Sequence, residues 1–180
     1  MPLWLVIDLE ATTDEGGWPL AEMEVIEIGA VIVNDQGIEH DHLQRYIKPI
    51  RRPLLTSFCR DLTHIKQADI SASATFDKVW PEVEQWFLPY QQRLVGWASW
   101  GDYDKLQLSQ QWQALNLSSH LQHLPHHNLK AGFAASQQLI KPVGLKRALQ
   151  LAGLSFQGQQ HRALSDARNT ARLLPLTQVK

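Results

Sequence analysis

The sequence contains a single cysteine, Cys59, among its 180 residues. One thiol cannot form an intramolecular disulfide, which excludes a disulfide-stabilised secreted scaffold and fits a reducing compartment. No apolar run approaches the roughly 20 residues of a membrane-spanning helix. Met1 and Pro2 are followed by neither the basic nor the apolar region of a secretory signal. We therefore expect a soluble, cytoplasmic protein.

The sequence also lacks an excess of charge of either sign. With 17 Lys and Arg against 18 Asp and Glu, its net charge is −1, which provides no bulk attraction for nucleic acid. A nucleic-acid enzyme of this balance must concentrate its cations near the site or neutralise phosphate with metal ions. Repeats, low-complexity tracts and linkers are absent as well. With 44% apolar residues, the chain is expected to form a single domain over residues 1–180.

The clearest local signal is the apolar run Leu3–Ile7, which leads directly into Asp8-Leu9-Glu10. The run is short for a helix and predicts a buried strand. Because side chains alternate along a strand, Asp8 and Glu10 should point to the same side. Two like charges at the end of a buried strand repel each other, and burying them unpaired is costly. The pair is therefore either a ligand set for a divalent cation or a solvated exit from the strand.

Strands and helices are interspersed along the rest of the chain. The β-branched run Met23–Val33, a turn at 34–37 and a returning strand at Leu43–Ile47 predict a hairpin, in which Glu27 should face solvent. The remaining patterns predict a strand at 94–100 and helices at 54–62, 105–115, 131–139 and 143–151. Two helical faces are also predicted, one formed by Phe76, Val79, Trp80, Val83 and Phe87 and one by Ala163, Ala167, Thr170, Ala171 and Leu174. This order predicts a mixed α/β fold with a partly antiparallel sheet.

Acidic residues recur at two further places. The strand at 94–100 ends at Asp102-Tyr103-Asp104, and strand ends are where sites of α/β proteins gather. Near the end of the chain, His161 and Asp166 are five positions apart, which is about 140° on one straight helix. They converge only if His161 precedes the helix and Asp166 lies in its first turns. A carboxylate there is stabilised in its charged form, which suits a metal ligand.

Four histidines between Ser118 and Asn128 also suggest a zinc site: His120, His123, His126 and His127. Pro125 interrupts any helical face in this stretch, and no cysteine or carboxylate stands close by in the sequence. We therefore favour a solvated loop, and the role of the histidines stays open.

Together, Asp8-x-Glu10, Tyr103-Asp104 and His161-x4-Asp166 resemble the DEDDh family of 3′→5′ exonucleases, which has an RNase H-like fold. The segments 54–67 and 161–171 are similar to the branch that trims RNA 3′ ends, including histone-mRNA and small-RNA exonucleases. That family has an aromatic residue directly before its third acid. This feature selects Asp104, with Asp102 as the alternative.

The resemblance implies a catalytic set of four acids and one histidine: Asp8, Glu10, Asp104, His161 and Asp166. It implies that Asp8, Glu10, Asp104 and Asp166 bind two Mg²⁺ ions, which Mn²⁺ can replace, and that His161 takes a proton from the attacking water. The substrate implied is the 3′ end of single-stranded nucleic acid, RNA rather than DNA, and the products are nucleoside 5′-monophosphates.

The resemblance further implies backbone contacts to substrate from Ala11 and Thr12, and aromatic contacts to the terminal nucleotide from Phe58 and Tyr103. A core position for Phe58 is the alternative. Candidate phosphate contacts are Lys130, Lys146, Arg162 and Arg168. Two other functions stay open, namely a DNA exonuclease of the proofreading type and a non-catalytic nucleic-acid-binding protein of the same fold. The sequence does not indicate an oligomeric state.

Overall fold

A computed structural model describes residues 1–177. Its five-stranded sheet has the order β3-β2-β1-β4-β5. The strands are β1 (Leu3–Ala11), β2 (Val25–Asn34), β3 (Glu39–Tyr46), β4 (Leu94–Ser99) and β5 (His126–Asn128). The pairs β1/β2 and β2/β3 are antiparallel, whereas β1/β4 and β4/β5 are parallel. The predicted mixed α/β fold with a partly antiparallel sheet is confirmed.

Seven α-helices accompany this sheet within residues 1–177. They are α1 (Ser57–Thr63), α2 (Gln67–Ser71), α3 (Phe76–Phe87), α4 (Tyr103–Ala114), α5 (Leu129–Ser136), α6 (Leu145–Leu151) and α7 (Ala163–Ala171). The sequence predicts all of them except the short α2. Across the described residues, none of these helices has the length and hydrophobicity needed to cross a bilayer.

The two faces of β1 pack against different helices. Its odd-numbered residues, from Leu3 to Leu9, join one core cluster with α3 and α4, whereas Trp4 and Val6 join a second cluster with α7. The predicted apolar faces of α3 and α7 are buried in these two clusters or beside them. The same alternation places Asp8 and Glu10 on the α7 side of the sheet.

The beginning of α7 lies directly against β2 at Gly29. A Cβ atom built on Gly29 would be 2.1 Å from the carbonyl carbon of Ala163 and from the amide nitrogen of Leu164. Gly29 is also the register partner of Asp8 across the β1/β2 pair. The missing side chain therefore lets the N-terminus of α7 approach the acidic end of β1.

Two expectations from the sequence are wrong. Glu27 does not face solvent but is completely buried, because the α7 side of the sheet, where it lies, is covered. The histidine stretch is not wholly a solvated loop. His126 and His127 lie in β5, and Nε2 of the buried His126 side chain is 2.8 Å from Oγ of Ser99. His120 and His123 do remain exposed, in a short 3₁₀ turn.

Candidate active site

Three of the predicted side chains converge where β1 meets the start of α7. One ligand atom each from Glu10, His161 and Asp166 lies within 4.8 Å of the others. Within residues 1–177, this is the only group of three or more His, Cys, Asp or Glu side chains with that geometry. The tight group does not include Asp8, which occupies the same face of β1 two residues earlier.

The backbone before α7 brings His161 and Asp166 together. His161 adopts a left-handed conformation with φ of 60°, and Arg162 is the N-cap of the helix. The main-chain N–H of His161 donates to Oδ2 of Asp166 at 3.3 Å. Asp166 lies in the first turn of α7. The predicted placement, with the histidine just before the helix and the acid in its first turn, is confirmed.

Asp104 reaches the same site from the start of α4. It is 4% exposed, and its Oδ1 accepts a hydrogen bond from the main-chain N–H of Leu9 at 3.0 Å. The alternative acid, Asp102, has a side chain that is 61% exposed. Its Oδ2 accepts a hydrogen bond from Nδ2 of Asn128 at 2.8 Å. The geometry therefore favours Asp104 over Asp102 as the third acid.

The carboxylates of the site repel one another in a poorly solvated environment. Burial raises the pKa of Asp8 well above its ordinary value, and the negative charges of Asp104, Glu10 and Asp166 raise it further, although part of the residue stays exposed. Burial likewise raises the pKa of Glu10, with Asp166 as the next cause. Burial raises the pKa of Asp104 and that of Asp166 to about 7 each. The surroundings therefore disfavour the charged forms of these four carboxyl groups.

These residues fit a divalent metal ion. Carboxylate oxygens are the hard ligands that Mg²⁺ and Mn²⁺ prefer. Oδ1 of Asp166 is buried and has no hydrogen-bond partner among the described residues, which is costly for a carboxylate unless a cation approaches it. Burial, which raises the pKa values of Asp104 and Asp166, likewise disfavours their charged forms. A cation would relieve both the repulsion and the missing partner.

His161 is suited to accept a proton. Burial lowers the pKa of its imidazole, and the nearby His64 lowers it further. Both effects favour the neutral ring, which has a lone pair available. His64 ends α1 in a left-handed conformation, and nothing in the sequence indicates that it approaches His161.

The predicted aromatic contacts lie at the surface. Phe58 and Tyr103 are 37% and 38% exposed, so the alternative that Phe58 belongs to the core is wrong. In this segment, the buried side chains are instead Leu55, just before α1, and Cys59, within it. Burial raises the pKa of the Tyr103 hydroxyl, followed by the charge of Asp104. Tyr103 is therefore adjacent to the acids, and stacking on a nucleotide stays a prediction for both residues.

Ala11 and Thr12 are buried where β1 ends. The N–H of Thr12 donates to the carbonyl of Glu24 at 2.8 Å, and its hydroxyl accepts from the N–H of Glu24 at 2.9 Å. These bonds fix the chain just after Glu10. Substrate contacts from the backbone of Ala11 and Thr12 stay predictions.

Two candidate phosphate contacts are engaged in ion pairs. Arg162 binds Glu27 through Nε and Nη2 at 3.2 and 3.1 Å, and Arg168 binds Glu39 through the same atoms at 2.9 and 2.8 Å. Both arginines therefore hold α7 to the sheet.

The main residue whose place beside the site was not predicted from the sequence is Glu27. The sequence feature that could have indicated it is a carboxylate within a β-branched strand.

An acidic cluster at the end of the central strand β1, in a β3-β2-β1-β4-β5 sheet flanked by helices, is the architecture of an RNase H-like nuclease. The family model described as "Exonuclease" matches residues 5–174. The chain therefore belongs to this exonuclease family.

Solved structures and curated proteins agree with this assignment. The nuclease domain of 3′hExo, a DEDDh family member whose structure was determined with bound rAMP, superposes with a TM-score of 0.83 at 26% identity, over 95% of this chain and 88% of that one. In sequence, 94% of this chain aligns with human ERI1 exoribonuclease 2 at 29% identity. Similarly, 93% of this chain aligns with human 3′-5′ exoribonuclease 1 at 28% identity. The chain spans only 27% and 50% of these two human proteins.

Proposed function

We propose that the chain is a metal-dependent 3′→5′ exonuclease that shortens single-stranded RNA and releases nucleoside 5′-monophosphates. The observation that carries this proposal is the convergence of Glu10, His161 and Asp166 within 4.8 Å. Asp8 and the buried Asp104 add two acids whose charges interact with this group. The relative named 3′-5′ exoribonuclease 1 supports the direction of cleavage, and both relatives named as exoribonucleases support RNA as the substrate class.

The residues that would hold the metal ions are Asp8, Glu10, Asp104 and Asp166. When bound, Mg²⁺ or Mn²⁺ supplies neutralisation of phosphate charge and activation of a water molecule. His161 stands beside Glu10 and Asp166, and its neutral ring nitrogen takes the proton of the attacking water. Asp166 has a second task, because its Oδ2 accepts the hydrogen bond from the main chain of His161. The same carboxylate thus links metal binding to the placement of the base.

The exposed rings of Phe58 and Tyr103 support single-stranded ends as substrate. Stacking of a base on an aromatic side chain does not depend on sequence, which fits an enzyme that trims ends. RNA is favoured over DNA because of the ribonuclease relatives and because the similar nuclease domain binds rAMP. Recognition of an RNA stem-loop is a property of the related 3′-exonuclease and is not part of this proposal.

The cytoplasmic location and the single-domain organisation over 1–180 stay predictions.

A cleavage assay tests the proposal. Single-stranded RNA and DNA of the same sequence, each labelled at the 5′ end, are incubated with the chain and with Mg²⁺, Mn²⁺ or chelator. We expect a ladder that shortens from the 3′ end of the RNA, supported by either ion and lost with chelator. Asp166→Asn should give no ladder, and Asp61→Asn, at an exposed position of α1, should leave it unchanged.

The other outcomes separate the competing functions. Faster shortening of DNA than of RNA would replace the proposal by a DNA exonuclease. Binding of either strand without cleavage under every metal condition would support a non-catalytic nucleic-acid-binding protein. Internal cuts that leave the 3′ end intact would contradict an exonuclease.

A further inference from the structure

Glu27 is a fully buried carboxylate beside the site. It lies in β2, directly opposite Glu10 of β1 and Tyr46 of β3 in the antiparallel registers. The three side chains therefore form a row across one face of the sheet. This is the face that α7 covers.

Four hydrogen bonds satisfy the Glu27 carboxylate. Oε1 accepts from Nε2 of Gln44 at 2.9 Å and from Nη2 of Arg162 at 3.1 Å. Oε2 accepts from Nε of Arg162 at 3.2 Å and from the main-chain N–H of Ala163 at 3.1 Å. Ala163 is the first residue of α7, and the N-cap residue Arg162 provides no side-chain cap. Glu27 therefore caps α7 from the neighbouring strand.

Arg162 is fixed on two sides. Besides its two hydrogen bonds to Glu27, its Nη2 donates to the hydroxyl of Tyr46, and its guanidinium lies 5.4 Å from the centre of the Tyr46 ring. Planar paired hydrogen bonds of this kind restrict an arginine side chain more than a single contact does. Arg162 directly follows His161, which holds a left-handed backbone conformation. A residue in that conformation persists only when its surroundings fix it.

We infer that Glu27 and Arg162 are a positioning pair for His161. Neither residue would touch the substrate or the metal ions. Their bonds fix the backbone on the C-terminal side of His161, and the bond from His161 to Asp166 closes the loop beside Glu10. The inference rests on the proposed function, in which His161 is the base.

A purely electrostatic role for the pair makes a different prediction. Glu27 is negative and Arg162 is positive, so removing one charge should affect the metal-binding acids in the opposite sense to removing the other. A positioning role requires both changes to act in the same direction, because either one breaks the paired hydrogen bonds between Arg162 and Glu27. The signs of the two effects therefore distinguish the roles.

The chain provides a matched control on the same helix. Arg168 of α7 and Glu39 of β3 also form a two-bond ion pair, but this pair is 41% and 32% exposed. It joins α7 to the sheet at a point six residues further along the chain. Glu39→Gln removes this more exposed ion pair, and the contact of Glu39 with His42, without touching the loop that carries His161.

The experiment measures kcat and KM for RNA cleavage by Glu27→Gln, Arg162→Gln and Glu39→Gln. We expect both changes at the buried pair to lower kcat about 10²-fold, the effect of a misplacement near 1 Å, with KM within about twofold of wild type. Glu39→Gln should keep the wild-type kcat. Arg162→Lys, which keeps the charge but not the paired hydrogen bonds, should give an intermediate kcat. It replaces Arg162→Gln in the test if that variant does not fold.

A double variant makes the test specific for His161. If Glu27 acts through the base, Glu27→Gln should cost no further activity in a His161→Ala background, because residues that act as one unit are not additive. If the fold-losses in kcat of the two single variants multiply in the double variant, the inference is overturned and Glu27 has a general structural role. Opposite effects of Glu27→Gln and Arg162→Gln, or wild-type kcat in both, would overturn it as well.

Failure of the proposed function would be recognised separately. A wild-type chain without metal-dependent cleavage rejects the exonuclease itself. An active wild type that loses nothing on Glu27→Gln rejects only the positioning pair. Amide hydrogen exchange in the metal-free protein adds a measurement independent of activity. The N–H of Ala163 should exchange faster in Glu27→Gln than in Glu39→Gln, and equal rates would contradict the cap.

Discussion

The Oδ1 atom of Asp104 accepts a hydrogen bond from the main-chain N–H of Leu9 at 3.0 Å, across 95 residues of sequence. This bond joins the start of α4 to β1 between Asp8 and Glu10. It fixes Asp104 relative to both acids. Asp102, only two residues earlier, is turned toward Asn128 and solvent.

Asp104→Asn should abolish RNA cleavage, whereas Asp102→Asn should keep it close to the wild-type rate. The amide can preserve the bond from Leu9 but cannot supply the negative charge that a divalent ion requires. Cleavage rates at saturating Mg²⁺ check this prediction. Loss of activity in Asp102→Asn with an active Asp104→Asn would reverse the assignment of the third acid.

His161→Ala should slow hydrolysis by roughly 10²- to 10⁴-fold, the usual contribution of a general base. The metal-binding acids remain in place, so the midpoint of a Mn²⁺ titration should change much less than kcat. His123→Ala, which alters an exposed histidine of the 3₁₀ turn, is the control. A His161→Ala enzyme as fast as this control would remove the imidazole from the mechanism.

The sequence predicts those parts of the site that depend on local pattern. The alternation along β1 places Asp8 and Glu10 on one face, and the five-residue spacing places His161 before α7 and Asp166 inside it. Both follow from the geometry of single elements. The sheet itself follows from the order of strands and helices, except for β5, where three residues rich in histidine carry no strand signal.

Long-range partners could not be predicted in the same way. Glu27 and Arg162 are 135 residues apart, and β1 and β2 are joined by a long connection that does not reveal their register. A carboxylate in a strand is usually solvated, and only the docking of α7 makes Glu27 a buried one. The exposed position of Phe58 similarly depends on which side of α1 faces the sheet, which Leu55 and Cys59 decide.

Asp166→Asn should raise the thermal stability of the metal-free protein at pH 8. The pKa of Asp166 is raised to about 7 in the folded state, against about 3.9 in an unfolded chain. The folded state therefore binds more protons between these values, and the free energy of unfolding falls as the pH rises through this window. The variant escapes that loss, so its advantage over wild type should shrink at pH 5.

Thermal melts in chelator at pH 5 and pH 8 measure this difference, at about 2–4 °C of Tm for each kcal/mol. Mg²⁺ should then raise the Tm of wild type at pH 8 and have much less effect on Asp166→Asn, since an ion that binds only the folded state stabilises it. Asp61→Asn should behave as wild type in both experiments. A wild type that is indifferent to Mg²⁺ would contradict a metal site at Asp166.

Gly29→Ala should destabilise the protein by about 1–3 kcal/mol, as overpacking does, and lower its activity. The added methyl group would be placed 2.1 Å from the main chain of Ala163, so the start of α7 must move away from β1. Gly132→Ala in α5 is the control, because its Cβ would lie 3.4 Å from Thr177. That change should be neutral or stabilising by up to about 1 kcal/mol, and a Gly29→Ala as stable as this control would refute the close approach of α7.

The decisive measurement is the fate of the attacking oxygen. Single-stranded RNA is cleaved in ¹⁸O-labelled water, and the first product is analysed by mass spectrometry. A water molecule activated at Glu10, Asp166 and His161 predicts a nucleoside 5′-monophosphate that carries one ¹⁸O atom in its phosphate. This product should form with Mg²⁺ or Mn²⁺ and disappear with chelator or with Asp166→Asn. A first product without ¹⁸O would show that water is not the nucleophile, and a 2′,3′-cyclic phosphate formed in chelator would show that the ribose hydroxyl attacks. Either result would contradict a metal-dependent hydrolytic site.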